Sequence, residues 1–204
     1  LMRIVFLDKD SLPVRFTPPR CTTACVEHAQ TGAAEVVERL RGAPVAIINK
    51  VVLDAATLAQ LPELRLIALA ATGHDCVDVE YCRAHGIAVS NVRNYAVHAV
   101  SEHVFALLLA LRRNLASYAA LVAEGAWQRS AQFCAHGAPL EDLHGSVLGI
   151  VGGGSIGRAT AALGAGFGMR VLHAASPSQP AGSAGRVALR ELLASADVLT
   201  LHCP

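Results

Sequence analysis

The chain has 204 residues, of which 53% are hydrophobic and only 16% charged, so it is long and apolar enough to bury a substantial core. This composition excludes an intrinsically disordered chain. The formal net charge is +1 without a basic block, which argues against nucleic acid as a partner. The longest apolar run, residues 104–111, is too short to span a bilayer, so we expect no membrane partner.

The cysteines and the N-terminus indicate the compartment. The first residues enter a predicted strand directly, without the pattern of a signal peptide. None of the six cysteines forms a CxxC motif. Cys76, Cys82 and His85 lie near one another in sequence but lack the spacing of metal ligands. We therefore expect reduced thiols, no metal site and a cytoplasmic protein.

Predicted strands and helices alternate through the first half of the chain. Strands are predicted at residues 3–7, 24–28, 45–49, 65–71 and 87–90. Helices are predicted at residues 31–40, with Thr31 as the N-cap, and at residues 53–61 and 78–85. Strands that are apolar throughout, rather than at every second residue, indicate a parallel sheet covered on both faces.

The longest predicted helix covers residues 97–122 and is apolar on nearly its whole circumference in the middle. A helix of this kind must be covered on several faces, so it is predicted to lie at a domain junction or a subunit interface. Residues 127–140 are predicted to be irregular. The predicted domain boundary precedes the helix and gives domains at residues 1–95 and 96–204.

A glycine motif follows the apolar residues 147–151, which are predicted to form a short buried strand. The order strand, Gly152-x-Gly154-x-x-Gly157, helix is the order that a dinucleotide site requires. The first glycine permits a tight turn, the second lets a pyrophosphate approach the backbone, and the third lets the helix pack closely. We predict that the loop Gly152, Gly154, Ser155, Ile156 and Gly157 binds the pyrophosphate at the helix N-terminus.

The context of the motif distinguishes this site from a purely structural glycine turn. A second strand is predicted at residues 170–174, followed by an amphipathic helix with Leu189, Leu192 and Leu193. A third strand is predicted at residues 198–201. This βαβαβ order is one mononucleotide-binding half of a Rossmann fold and favours a nucleotide site.

The second predicted strand lacks the acidic residue that normally follows it. An Asp or Glu about twenty residues beyond the first glycine usually binds the adenine ribose, but Ala175 and Ser176 stand here. No Asp or Glu occurs between Arg158 and Arg190, so a 2′-phosphate is not repelled. Arg186 either folds back towards the strand end or is solvated. The predicted cofactor is NAD or NADP, with NADP slightly favoured.

Several blocks in the same order resemble the D-isomer-specific 2-hydroxyacid dehydrogenases, in particular their glycerate dehydrogenase or hydroxypyruvate reductase branch. The blocks are LIALAATGHDCVD (66–78), GIAVSNVRNYAVHAVSEHVFALLLALRRNL (86–115), GSVLGIVGGGSIGRA (145–159), FGMRVL (167–172) and SADVLTLHCP (195–204). The resemblance covers nearly the whole chain. It implies a flavodoxin-like parallel-sheet substrate domain followed by a partial Rossmann dinucleotide-binding domain.

The resemblance also implies an activity and its sites. A nicotinamide cofactor would reduce a small 2-keto acid, such as hydroxypyruvate or glyoxylate, to a 2-hydroxy acid. The substrate carboxylate would lie on the loop Ala71, Thr72, Gly73 and His74, although an ordinary strand-to-helix turn is the alternative. The turn His202, Cys203 and Pro204 would line the cofactor. The long helix would form a homodimer.

The catalytic arginine, glutamate and histidine of the family are expected beyond Pro204, so no catalytic residue is assigned in this chain. Histidines 74, 85, 98, 103, 136 and 144 are not assigned as substitutes. We therefore expect this C-terminally truncated form to be inactive. The alternatives are an inactive dinucleotide-binding or regulatory module of the same architecture and a degenerate or frameshifted product.

Overall fold

A computed structural model describes residues 2–13, 15–176, 178–183 and 185–203. The chain forms two compact units, residues 1–95 and residues 96–204. Each unit is built on its own parallel β-sheet.

The first unit contains five strands and three α-helices. Its sheet has the order β2-β1-β3-β4-β5, and every neighbouring pair is parallel. The elements in chain order are β1 (Met2–Phe6), β2 (Thr22–Glu27), α1 (Val36–Leu40), β3 (Val45–Ile48), α2 (Ala55–Leu58), β4 (Leu66–Leu69), α3 (Val79–Ala84) and β5 (Ala88–Ser90). This strand order is the flavodoxin-like one, so the predicted fold class is confirmed for this unit.

The apolar strands of the first sheet are most completely buried on one face. Val5, Ala46, Ile48 and Ile67 on the three central strands have no exposed surface. They belong to a core that also includes leucines from the flanking helices and loops. On the other face, Ile4 and Phe6 of β1 are also buried, whereas the alternate residues of β3 and β4 are partly exposed. The uninterrupted apolar runs therefore predicted more complete coverage of both faces than β3 and β4 have.

All three α-helices of the first unit are shorter than predicted. The prediction that Thr31 caps a helix was wrong, because its hydroxyl donates to the carbonyl of Leu7 and α1 begins five residues later. The helix predicted from residue 53 begins after Asp54, whose carboxylate accepts the N–H of Thr57 at 2.8 Å. A side-chain acceptor at this position satisfies a free N–H of the first turn and sets the start of the helix.

The second unit has a four-stranded parallel sheet with the order β8-β7-β6-β9. Its core includes Phe105, Leu148, Ile150 and Met169. The elements in chain order are α4 (Val97–Arg112), α5 (Leu115–Ala123), α6 (Ala126–Arg129), β6 (Val147–Val151), α7 (Ser155–Gly166), β7 (Arg170–Ala174), β8 (Arg186–Val187), α8 (Leu189–Ser195) and β9 (Val198–Leu201). The Rossmann half that the glycine motif predicts is therefore present.

The prediction of one continuous helix over residues 97–122 was wrong. The chain bends by 57° between α4 and α5. Asn114 has φ +46°, a left-handed conformation that ends a right-handed helix and that asparagine tolerates better than most residues. Its side-chain amide donates to the carbonyl of Pro139, and the N–H of Glu141 donates to the carbonyl of Arg112 at 2.9 Å. The following irregular segment thus fixes the break.

Two further details of the second unit differ from the sequence prediction. The strand β8, which pairs with β7 at the sheet edge, was not predicted because it is only two residues long. In α8, Leu192 is fully buried, whereas Leu189 and Leu193 are about half exposed. The apolar stripe of this helix is therefore narrower than the sequence suggests.

Within the described residues, no single helix is long and apolar enough to cross a membrane. The bent pair α4 and α5 reaches that length and composition only when the two helices are taken together.

Candidate functional site

The glycine loop lies where the strand order of the second sheet reverses. The chain passes from β6 outward to β7 and β8, and then returns to the other side of β6 as β9. Gly152 after β6 has φ +104°, and a Cβ there would collide with the backbone carbonyl of His202 after β9. Only glycine fits this close approach of two strand ends. In open α/β sheets, ligands bind in the crevice at such a reversal.

The other two glycines of the motif have different surroundings. A Cβ on Gly154 would meet no atom within 4 Å, so this position faces open space at the helix start. A Cβ on Gly157 would collide with the carbonyl oxygen of Gly152. Gly157 therefore lets α7 pack closely on the loop, whereas Gly154 leaves room beside the backbone for a ligand.

The N-terminus of α7 provides hydrogen-bond donors at this open space. Gly154 is the N-cap and has no side chain that could accept from the first turn. Its carbonyl accepts the N–H of Arg158 at 3.0 Å, but the N–H groups of Ser155, Ile156 and Gly157 precede the first intrahelical bond. Free donors of this kind and the positive end of a helix dipole are suited to an anion.

The turn after β9 lies directly against the loop. The N–H of His202 donates to the carbonyl of Val151 at 2.7 Å, and its Nε2 is 3.1 Å from the hydroxyl of Thr200. Burial lowers the pKa of His202 below the usual 6.5, which favours the neutral ring. Cys203 is exposed. Pro204, which the sequence also places in this turn, lies outside the described residues.

The end of β7 carries the residues predicted to face the adenine ribose. Ala175 donates its N–H to the carbonyl of Val187 in β8 at 2.8 Å, so it is fixed at the sheet edge. Ser176 pairs with Gln179 in a tight turn, and its hydroxyl is 3.3 Å from that of Ser178. The described part of this turn therefore presents hydroxyl groups at the strand end.

Arg186 lies at the same strand end, which decides between the two positions that the sequence allowed. Its Nη1 donates to the carbonyl of Ala174, the last residue of β7, at 2.9 Å. Its Nη2 lies 2.6 Å from the place where a Cβ on Gly153 would be. The guanidinium is thus held between the end of β7 and the glycine loop, rather than in solvent.

A cavity of about 440 Å³ adjoins this guanidinium. Its lining residues are Arg158, His173, Ser178, Gln179, Pro180, Ser183 and Arg186. Sequence reasoning missed His173 because nothing in the pattern of β7 marks one of its residues as functional. Burial and the neighbouring charge of Arg186 lower the pKa of His173. The described lining is cationic or neutral and contains no carboxylate.

The predicted carboxylate-binding loop follows β4 in the first unit. Thr72, Gly73 and His74 are exposed, and Ala71 is buried. The hydroxyl of Thr72 donates to the carbonyl of Val92 at 2.8 Å, which ties the loop to the chain after β5. Within the described residues, the N–H groups of Thr72, Gly73 and His74 have no acceptor. Three free donors in succession after a strand end suit an anion.

A separate cavity of about 540 Å³ lies at the carboxyl ends of β1, β2 and β3. Asp8 lines it and accepts the N–H groups of Asn49 and Lys50 at 2.7–3.1 Å. The carboxylate is therefore occupied in holding the loop after β3. None of the residues of the loop 71–74 lines this cavity.

No acid–base pair is evident in the described part of the chain. None of its salt bridges involves a histidine. His85 instead stacks on Tyr81, and His136 lies 3.4 Å from the thiol of Cys134. The described residues also contain no group of three His, Cys, Asp or Glu side chains arranged to hold a metal ion.

Comparison with known proteins gives a family and several relatives. The family description "D-isomer specific 2-hydroxyacid dehydrogenase, catalytic domain" matches residues 11–196. The glycerate dehydrogenase of Methylorubrum extorquens is 44% identical over 203 residues, which are 99% of this chain and 63% of that protein. The hydroxypyruvate reductase of Blautia hydrogenotrophica is 33% identical over 186 residues, which are 88% of this chain and 58% of that protein. The chain thus spans about three fifths of the length of these relatives.

The fold is also shared with a solved dehydrogenase. The structure of the Aquifex aeolicus D-lactate dehydrogenase, complexed with NAD and lactic acid, superimposes with a TM-score of 0.67 at 25% identity. The match covers 98% of this chain and 60% of that protein.

Proposed function

The chain belongs to the D-isomer-specific 2-hydroxyacid dehydrogenase family, and we propose that it carries the substrate domain and the dinucleotide-binding half of a reductase of small 2-keto acids. Residues 1–95 are the proposed substrate domain and residues 96–204 the proposed cofactor domain. The bound nicotinamide would supply the hydride that converts a 2-keto acid to a 2-hydroxy acid. Hydroxypyruvate and glyoxylate are the proposed substrates, since the relatives above are named for glycerate and hydroxypyruvate.

The glycine loop is the observation that carries this proposal. It combines a backbone that only glycine permits at Gly152 and Gly157, open space at Gly154 and free N–H groups at the start of a helix. These features match the requirements of a pyrophosphate. A purely structural turn would explain the glycines at positions 152 and 157 but not the open space at Gly154.

The proposed cofactor is NAD or NADP, and we propose that NADP is accepted at least as well as NAD. The turn after β7 presents Ala175, Ser176 and Ser178 where an acidic residue would repel a 2′-phosphate. The guanidinium of Arg186 adds a positive charge there. The turn His202–Cys203 would line the same cofactor from the side of β9.

The substrate carboxylate would lie on the backbone of Thr72, Gly73 and His74, whose N–H groups are free of described acceptors. Backbone donors in succession recognise the carboxylate and not the remainder of the molecule. This recognition is shared by hydroxypyruvate, glyoxylate and other 2-keto acids.

The proposed role of the carboxylate loop is tested with two ligands that differ only in that group. In the presence of NADPH, hydroxypyruvate is expected to raise the thermal unfolding temperature of the protein. Hydroxyacetone, which has a methyl group in place of the carboxylate, is expected to have no effect at the same concentration. Equal shifts with both ligands would contradict carboxylate recognition.

The regulatory alternative, an inactive dinucleotide-binding module, would retain NAD(P)H binding but need no keto acid, so the same comparison separates it from a reductase. We expect the 204-residue chain by itself to reduce hydroxypyruvate slowly or not at all. The reason is that its described histidines have no carboxylate partner, and acid–base groups contribute orders of magnitude to the rate. We also propose a homodimer and a cytoplasmic location for the protein.

A further inference from the structure

We propose that the cavity beside β7 and β8 is a phosphate monoester site for the 2′-phosphate of NADP(H), and that Arg186 of β8 selects NADP(H) over NAD(H). This inference rests on the proposed dinucleotide site and adds the residue that determines its specificity. The charge comes from a neighbouring strand, twelve residues after the end of β7, and not from the turn directly after it.

The position of Arg186 is fixed by its backbone and by its side chain. In the β-sheet register, Arg186 is opposite His173, and Val187 is opposite Ala174. One guanidinium nitrogen donates to the carbonyl of Ala174. An arginine has five N–H donors, so this bond leaves most of them for a ligand. The side chain is therefore already oriented at the strand end before any ligand arrives.

Gly153 makes room for this orientation. A Cβ at Gly153 would be 2.6 Å from Nη2 of Arg186 and 3.4 Å from the side-chain oxygen of Gln179. A larger residue at the variable position of the motif would displace the guanidinium from the loop. The glycine thus brings the phosphate-binding backbone and the guanidinium next to each other, as the pyrophosphate and the 2′-phosphate of one NADP molecule require.

The charge of the cavity fits a phosphate dianion. Arg158, which also lines the cavity, donates from Nη1 to the carbonyl of Gly153 at 2.8 Å and adds a second guanidinium. The hydroxyl of Ser178 supplies a neutral hydrogen-bond donor, whereas that of Ser183 donates to the carbonyl of Pro180 at 2.6 Å. Hydrogen bonds between guanidinium groups and phosphate are about twice as strong as neutral ones, so Arg186 and Arg158 would dominate the affinity.

The test compares the affinity of the protein for NADPH and NADH by calorimetry. Arg186→Ala is expected to weaken NADPH binding about ten- to hundredfold and NADH binding less than about threefold, since only NADPH has the 2′-phosphate. Arg186→Lys keeps the charge but not the fork of donors, so it is expected to lose an intermediate amount. Arg190→Ala removes an exposed arginine of α8 outside the cavity and is the matched control.

A second pair of probes separates failure of this inference from failure of the proposed function. Adenosine 2′,5′-bisphosphate and 5′-AMP differ only in the 2′-phosphate and contain no nicotinamide. A preference for the bisphosphate that is lost in Arg186→Ala supports the inference even if the nicotinamide does not bind.

An unchanged ratio of NADPH to NADH affinity in Arg186→Ala overturns the inference. An equal loss of affinity for both cofactors also overturns it, because the arginine would then be a structural support of β8. Failure of the wild-type protein to bind any of the four ligands overturns the proposed function as well.

Discussion

The three motif glycines differ in what a side chain would meet, so their substitution should have different consequences. A Cβ would collide with backbone atoms at Gly152 and Gly157 but would meet nothing at Gly154. Gly154 also has φ −68°, which any residue adopts without strain. The fold therefore does not require glycine at this position, whereas the proposed pyrophosphate would.

We predict that Gly154→Val abolishes dinucleotide binding and leaves the fold intact, because the isopropyl group occupies the space proposed for the pyrophosphate. Binding is measured by calorimetry and folding by circular dichroism. Gly166→Val is the control, since Gly166 ends the same helix and its Cβ would also meet nothing within 4 Å. Undiminished binding by the Gly154 variant would show that the loop does not hold the phosphates.

The roles of the site residues could be predicted from the sequence where they depend only on neighbouring residues in the chain. The roles of Gly152 and Gly157 follow from the spacing of the motif, and the structure shows the collisions that this spacing avoids. The position of Arg186 was left open because it depends on how the eleven-residue connection between β7 and β8 returns to the sheet. Gly182 and Gly185, both with positive φ, lie in that return, and no local pattern predicts its course.

At the scale of elements, the break between α4 and α5 shows that the apolar periodicity of the sequence does not always locate the end of a helix. The strands β6, β7 and β9 begin and end where the sequence predicted, because apolar runs bounded by glycine or polar residues are local signals. The break at Asn114 was not predicted, since the three polar residues at 112–114 also fit one turn of a continuous helix. The contacts of Asn114 and Arg112 with residues 139–141 determine the bend, and these contacts are tertiary.

We predict that Asn114→Ala lowers the free energy of unfolding by about 1–2 kcal/mol. Alanine is strained in the left-handed conformation and cannot make the hydrogen bond to the carbonyl of Pro139. Asn114→Gly keeps the conformation at little cost and should lose roughly half as much. The measurement is urea denaturation followed by circular dichroism. A glycine variant as unstable as the alanine variant would mean that the backbone conformation contributes nothing.

The α4–α5 region also leaves leucines uncovered within the chain. Leu107, Leu111 and Leu115 are 54%, 74% and 54% exposed, although the opposite side of α4 packs Phe105 and Leu108 into the core. Adjacent exposed leucines on consecutive helices indicate a surface that a partner covers. This supports the proposed homodimer, since a second copy presents the same apolar surface.

We predict a dimer of the protein in light scattering at micromolar concentration, and its conversion to a monomer by Leu111→Lys. A charged group in an apolar interface is costly because it loses its hydration. Leu193→Lys on α8, where the leucine is 55% exposed, serves as the control and should leave the dimer unchanged. A wild-type monomer at this concentration would contradict the proposal.

At the scale of the whole molecule, three histidines are expected to make stability depend on pH in the same direction. Burial lowers the pKa of His28, His173 and His202 below the ordinary value of 6.5. The unfolded chain therefore binds more protons than the folded protein once the pH falls through about 6.5. The stability that these neutral rings contribute is complete above that pH and declines below it.

We predict that the urea midpoint of unfolding is lower at pH 5.5 than at pH 8. The decrease should be smaller in His173→Gln, which removes one of the three titrating groups, and unchanged in His98→Gln, which removes an exposed histidine. A midpoint that rises on acidification would show that these partly buried rings are not the groups that determine this dependence.

Binding of a nicotinamide dinucleotide to the intact 204-residue protein tests the central claim most directly. Titration with NADPH in a calorimeter should give one site per chain with a dissociation constant between about 1 μM and 1 mM, the range of ordinary cofactor and substrate affinities. The same titration of Gly154→Val should give no heat of binding. Absence of binding to the wild-type protein at an NADPH concentration about ten times the upper end of this range would contradict the account. Equal binding of NADPH by the wild type and the variant would contradict it as well.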